Sequence, residues 1–161
     1  MYNHSIRVNG QTSAYRFCAL FNPVGSGMQM VIRRITVTPY ASTSALSSTP
    51  LLVSRITSST DGVLMDAGDI NKLETIYPDT AAEMRMGNPT VTLTQEVCSF
   101  GPPVQGATAT GYAPAMQSFE FPEEWGRFVL AEGEGIAYHQ TTGGLTSHVY
   151  AMTAFWSEQA S

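Results

Sequence analysis

Met28-Gln29-Met30-Val31-Ile32-Arg33-Arg34-Ile35-Thr36-Val37-Thr38 alternates apolar and polar side chains but changes phase halfway. Met28, Met30 and Ile32 share one face of an extended chain, and Ile35 and Val37 take the opposite parity, with Arg33-Arg34 at the switch. Successive side chains of a strand point to opposite faces, so an uninterrupted strand would turn part of this apolar set into water. A β-bulge or bend at the two arginines keeps all five apolar side chains inside, and that is the expected geometry.

The same period-2 pattern recurs on either side. Thr90-Val91-Thr92-Leu93-Thr94-Gln95-Glu96-Val97 sets Val91, Leu93 and Val97 against Thr92, Thr94 and Glu96, the pattern of a strand half in the core and half in water. Further short strands are predicted at residues 15–21, 51–57, 118–121, 127–131, 135–140 and 148–157. Strong breakers separate them: Asn22-Pro23-Val24-Gly25-Ser26-Gly27, Asp61-Gly62, Gly101-Pro102-Pro103, Phe121-Pro122-Glu123-Glu124-Trp125-Gly126, Gly133-Glu134-Gly135 and Gly143-Gly144. Strands of this size and spacing predict an antiparallel sandwich or closed barrel rather than alternating β and α units. One short helix is expected, because Thr80-Ala81-Ala82-Glu83 reads as a capping box before Met84-Arg85-Met86 and a terminating Gly87. Residues 41–50, rich in Ser and Thr, read as a loop. The expected core includes Val91, Leu93, Phe128, Leu130 and Ile136.

Composition bounds the function. The 161 residues are 43% hydrophobic, enough for a core that needs no disulfide or metal staple. Charged residues reach only 13%, against roughly 25% in an ordinary domain, and 33 Ser and Thr fill the gap. With a net charge of −5 and Lys72 as the sole lysine, neither nucleic acid nor an anionic membrane is an expected partner. The longest apolar run, residues 17–21, is far short of the ~20 residues of a membrane helix. Met1-Tyr2-Asn3-His4-Ser5-Ile6-Arg7 lacks the layout of a secretion signal, so the sequon Asn3-His4-Ser5 is read as chance. Cys18 and Cys98 read as reduced, buried thiols, with a bridge between them as the alternative.

No catalytic, cofactor or metal constellation is expected. His139 and His148 would face each other if residues 135–140 and 148–157 formed a hairpin, but zinc needs further ligands. Asp66, Asp69, Asn71 and Glu74 lack the order of a calcium loop. Gly25-Ser26-Gly27 has neither the spacing of a nucleophile elbow nor the lysine of a phosphate loop. The tight carboxylate pairs, Glu132 with Glu134 and Glu123 with Glu124, read as solvated turn residues rather than a glycosidase pair. The segment His148-Val149-Tyr150-Ala151-Met152-Thr153-Ala154-Phe155-Trp156 is different, because both parities carry large apolar groups. Such a strand is covered on both sides, either within the monomer or by another subunit. Tyr150, Met152 and Trp156 are assigned to a subunit contact, and Val149 and Phe155 to the monomer's own core.

Several segments together resemble small jelly-roll structural proteins of tailed-phage virions. They are Ala19-Leu20-Phe21-Asn22-Pro23-Val24-Gly25-Ser26-Gly27 followed by Val31-Ile32-Arg33-Arg34-Ile35-Thr36-Val37; Lys72-Leu73-Glu74-Thr75; and Phe128-Val129-Leu130, Gly133-Glu134-Gly135, Ile136-Ala137-Tyr138 and the closing Phe155-Trp156-Ser157-Glu158. The resemblance implies an all-β jelly roll spanning residues 1–161, with residues 1–13 as a possible N-terminal arm. It also implies a non-enzymatic protein of the virion, made in the host cytoplasm, that binds major capsid or tail subunits and assembles with itself, a trimer being the favoured oligomer. No catalytic residue or cofactor comes with it. The alternative is a carbohydrate- or receptor-binding sandwich presenting Tyr112, Trp125 and Tyr138 beside Glu123 and Glu124.

Overall fold

The computed structural model describes residues 1–11, 13–42, 50–72, 78–101, 116–123, 126–141 and 148–161. The strands are β1 (Tyr2–Asn9), β2 (Tyr15–Asn22), β3 (Met28–Ser42), β4 (Leu51–Thr60), β5 (Val63–Leu64), β6 (Asn71–Lys72), β7 (Glu83–Met86), β8 (Thr90–Phe100), β9 (Gln117–Glu120), β10 (Phe128–Leu130), β11 (Glu134–Gln140) and β12 (His148–Ala160). A first sheet runs β10-β3-β12-β1-β6, with β9 also on β3, and a second runs β5-β7-β2-β11-β4-β8. Leave out the short β5, β6 and β7, and count β9 with β10 as one position along β3. The eight positions then lie 1-8-3-6 in one sheet and 2-7-4-5 in the other. That is the order of a jelly roll, an antiparallel sandwich of two interleaved Greek keys.

The bulge in β3 is where the phase change demands it. Against β12, Arg34 stands opposite Phe155 but Ile32 stands opposite Trp156, so Arg33 is the extra residue. Met30, Ile32, Ile35 and Val37 are consequently all 1% exposed or less, with Met28 half-buried at the end. Across the sandwich they meet Leu20, Met84, Ile136, Tyr138, Val53 and Phe100. Each such side chain contributes roughly 1.5–3 kcal/mol relative to exposure, which is the main force holding the sheets together.

Four expectations are corrected. Phe128, Leu130 and Ile136 are in the core, but Leu93 is 38% exposed and Val91 is only half-buried. The β4–β8 pairing shifts register three times, so the inward set on β8 becomes Cys98 and Phe100, while Leu93 sits opposite outward-facing Ile56. Residues 2–9 of the possible N-terminal arm form a sheet strand: β1 pairs with β12 along its whole length, and Tyr2 and Ile6 are buried. The helix expected at residues 80–86 is instead β7, paired with β2 so that Met84 meets Leu20 inside and Glu83 and Arg85 face out. Sheet pairing overrides the local helical signal. The Thr80 hydroxyl accepts the Ala82 N–H at 3.1 Å and donates to Glu158, so it shapes a turn rather than capping a helix. A 3-10 turn forms at Ala67–Asp69, away from the expected helix. Finally, β11 and β12 lie in opposite sheets and form no hairpin, so the pairing that would have brought His139 opposite His148 is absent.

Cys18 on β2 and Cys98 on β8 are free thiols. With β11 and β4 between them they are three strand spacings apart, about 14 Å, beyond the reach of a disulfide. Residues 43–49 of the expected loop lie outside the described residues, and Ala41 and Ser42 belong to β3.

Candidate functional site

The expected subunit-contact trio is inside. Tyr150, Met152 and Trp156 are 2%, 1% and 0% exposed and pack into the main core, where Trp156 stacks on Tyr2 and gives its indole N–H to Glu158 at 3.1 Å. Val149 and Phe155, assigned to the core, are on the outer face and only half-buried. The faces are reversed because parity alone does not say which side of a doubly apolar strand meets the other sheet. The ladder decides it: Trp156 and Met152 stand opposite Ile32 and Val37, whose inward direction the bulge fixes.

The polar groups with chemical potential are used structurally. Ser54 Oγ and His139 Nε2 are 2.9 Å apart on neighbouring strands, but the two residues are 6% and 4% exposed, leaving no room for a substrate carbonyl. Burial, with Arg16 nearby, holds the His139 imidazole below its ordinary value. Glu132 is no idle turn residue: its carboxylate accepts the Gly25 and Gly27 N–H groups at 2.9 and 2.7 Å. Both glycines have positive φ, 85° and 68°, and together they form a nest already occupied by the chain's own carboxylate. Glu134 pairs with Arg55 at 3.3 Å, and the Arg33 guanidinium at 2.6 Å holds Glu123 below the usual carboxylate range. Among the described residues no cluster of His, Cys, Asp or Glu is built to hold a metal. Glu74 of the calcium reading lies outside them. Of the aromatic platform, Tyr112 and Trp125 lie outside the described residues, as does Glu124, and Tyr138 is 1% exposed in the core.

The outer side of the second sheet carries a small packed layer of its own, with Ala19, Ile56 and Ala137 all 0% exposed. They form a small apolar cluster flanked by Phe21 and Val91. Phe21 lies across Gly135, where a Cβ would come within 2.9 Å of the ring carbon Cδ2. Beside this cluster β8 forms the sheet's outer edge, eleven residues long, paired only with β4 among the described residues. Glu96 is its one charged side chain, and it has no proline or lysine; of the devices that commonly blunt an edge it carries only the bulges of its ladder with β4. Its bulges are bridged on the β4 side by Thr92 N–H to Ser58 Oγ at 3.1 Å and Thr94 Oγ1 to the Arg55 carbonyl at 3.2 Å. The burial of Tyr150, Met152 and Trp156 therefore moves the candidate interface from the last strand to β8. The signal was present in the Thr-rich, nearly uncharged stretch at residues 90–97.

Comparison with protein-family models, with curated proteins and with solved structures returned no match.

Proposed function

We propose that the chain is a non-enzymatic structural subunit of a tailed-phage virion, binding capsid or tail subunits and copies of itself, with a trimer as the expected homo-oligomer. The observation that carries the reading is the uncovered edge of β8 beside the outward Leu93. An edge of this length and low charge is a template for a neighbouring strand. The jelly-roll order and the resemblance of its segments to such proteins support the same assignment. Copies would meet through backbone pairing and a modest apolar contact, with no reaction to perform. Sedimentation of the purified chain tests self-assembly, and mass spectrometry with antibody labelling of purified particles tests virion membership. Leu93→Lys is expected to disperse the assembly while the β-type circular dichroism persists. A monomeric wild type that is also absent from particles overturns the reading.

A further inference from the structure

We infer that a cleft on the outer face of the first sheet binds a free α-amino acid with an apolar side chain. Ile32 and Ile35 both point into the core, so the bulge between them sends Arg33 and Arg34 out of the same face. They line a cleft of about 230 Å³ together with Met1, Glu120 and Phe155. Arg33 is engaged, its Nη1 lying 2.6 Å from Glu123. Arg34 is not: its guanidinium lies over Phe155, 4.2 Å from the ring centroid, and no carboxylate among the described residues comes within ion-pair distance. Its Nε is shielded from water without an acceptor. Glu120 is the residue opposite Arg34 in the β3–β9 ladder, yet it too has no ion pair there.

A cation and an anion therefore face one cleft without neutralising each other. A guanidinium resting over a ring still offers its terminal Nη donors, which take a carboxylate through charge-assisted hydrogen bonds. A plain carboxylate would meet Arg34 but be repelled by Glu120, and a phosphate dianion more so. A zwitterion satisfies both, its carboxylate on Arg34 and its ammonium on Glu120. The Met1 and Phe155 side chains supply the apolar wall for its side chain. This reading is independent of the virion assignment.

The test is an NMR titration of the full chain with L-phenylalanine, alongside phenylpropionate (no ammonium), phenethylamine (no carboxylate) and glycine (no apolar side chain). L-Phenylalanine is expected to shift signals of Arg34, Glu120 and Phe155, and each analogue to bind about tenfold more weakly or worse, the scale of one charge-assisted hydrogen bond for phenylpropionate and phenethylamine and of lost apolar contact for glycine. Arg34→Gln and Glu120→Gln, checked for folding by circular dichroism, should each abolish that preference. Glu120→Gln should also leave phenylpropionate bound no more weakly than before. The inference is overturned if L-phenylalanine leaves these residues unshifted, if phenylpropionate binds as well as L-phenylalanine, or if binding survives Arg34→Gln.

Discussion

Tyr2 and Trp156 stack with ring centroids 5.8 Å apart and planes 25° from parallel, joining the first strand to the last through side chains as well as backbone. Trp156→Ala removes this contact and the largest fully buried side chain of the core, and is expected to cost about 3–5 kcal/mol in urea unfolding. Met152→Glu, which places a charge among buried apolar groups, is expected to abolish the cooperative transition. Phe155→Glu on the outer face should leave it in place. The reverse order of the two glutamate variants would show the faces to be wrongly assigned.

Leu93 and Leu130 make a matched pair for the core boundary. Leu130→Ala is expected to cost about 2–5 kcal/mol through transfer and cavity terms. Leu93→Ala, at a position 38% exposed, should cost under about 1 kcal/mol. Equal costs in chemical denaturation would contradict the register of β4 with β8.

Stability should fall on both sides of neutrality. The unfolded His139 titrates near 6.5 and the folded one lower, so below 6.5 the unfolded chain binds the extra proton and stability drops as the pH falls. On the alkaline side, burial pushes the Cys18 thiol from its ordinary 9.0 up to about 12. The unfolded chain then loses that proton first, and stability drops as pH rises above 9 toward 12. Burial, with Glu96 beside it, raises Cys98 in the same direction. Thermal melts across pH should show Cys18→Ala flattening the alkaline limb and His139→Gln flattening the acid one.

Oxidation should not link the two thiols. Copper or diamide treatment of the folded chain is expected to leave the mass pattern free of a Cys18–Cys98 bridge, and both should alkylate rapidly only after denaturation. An intramolecular bridge formed under native conditions would contradict the strand order.

Gly135→Ala is expected to destabilise by about 1–3 kcal/mol, because the new Cβ would lie 2.4 Å from the Leu20 carbonyl oxygen and press on Phe21. Phe21→Ala in the same background should recover only part of the loss, since the backbone clash persists. Full recovery would mean that the ring alone sets the constraint.

Alternation made most strands legible, and the two arginines located the bulge of β3 because two halves of one strand had to share a face. It was weakest where both parities were apolar, as at residues 149–156, since the choice of face lies in the partner strand rather than in the segment. The capping box at Thr80 was a real local preference that pairing with β2 overrode. Val91 and Leu93 were misplaced because bulges in β8 shift parity without leaving glycine or proline to mark them. The Arg34–Phe155 contact joins residues far apart in the chain, yet it follows once the bulge is granted.

In the first sheet β12 lies between β1 and β3 and follows both in the chain. During synthesis, therefore, β1 and β3 emerge from the ribosome with their shared partner missing, each holding an unfilled edge until residues 148–160 follow. Non-local closure of this kind slows folding, and the half-made sheet is open to pairing with the wrong strand. Dense expression on polysomes should thus favour aggregation of nascent chains over finished ones, and slowing translation upstream of β12 would lengthen the exposure.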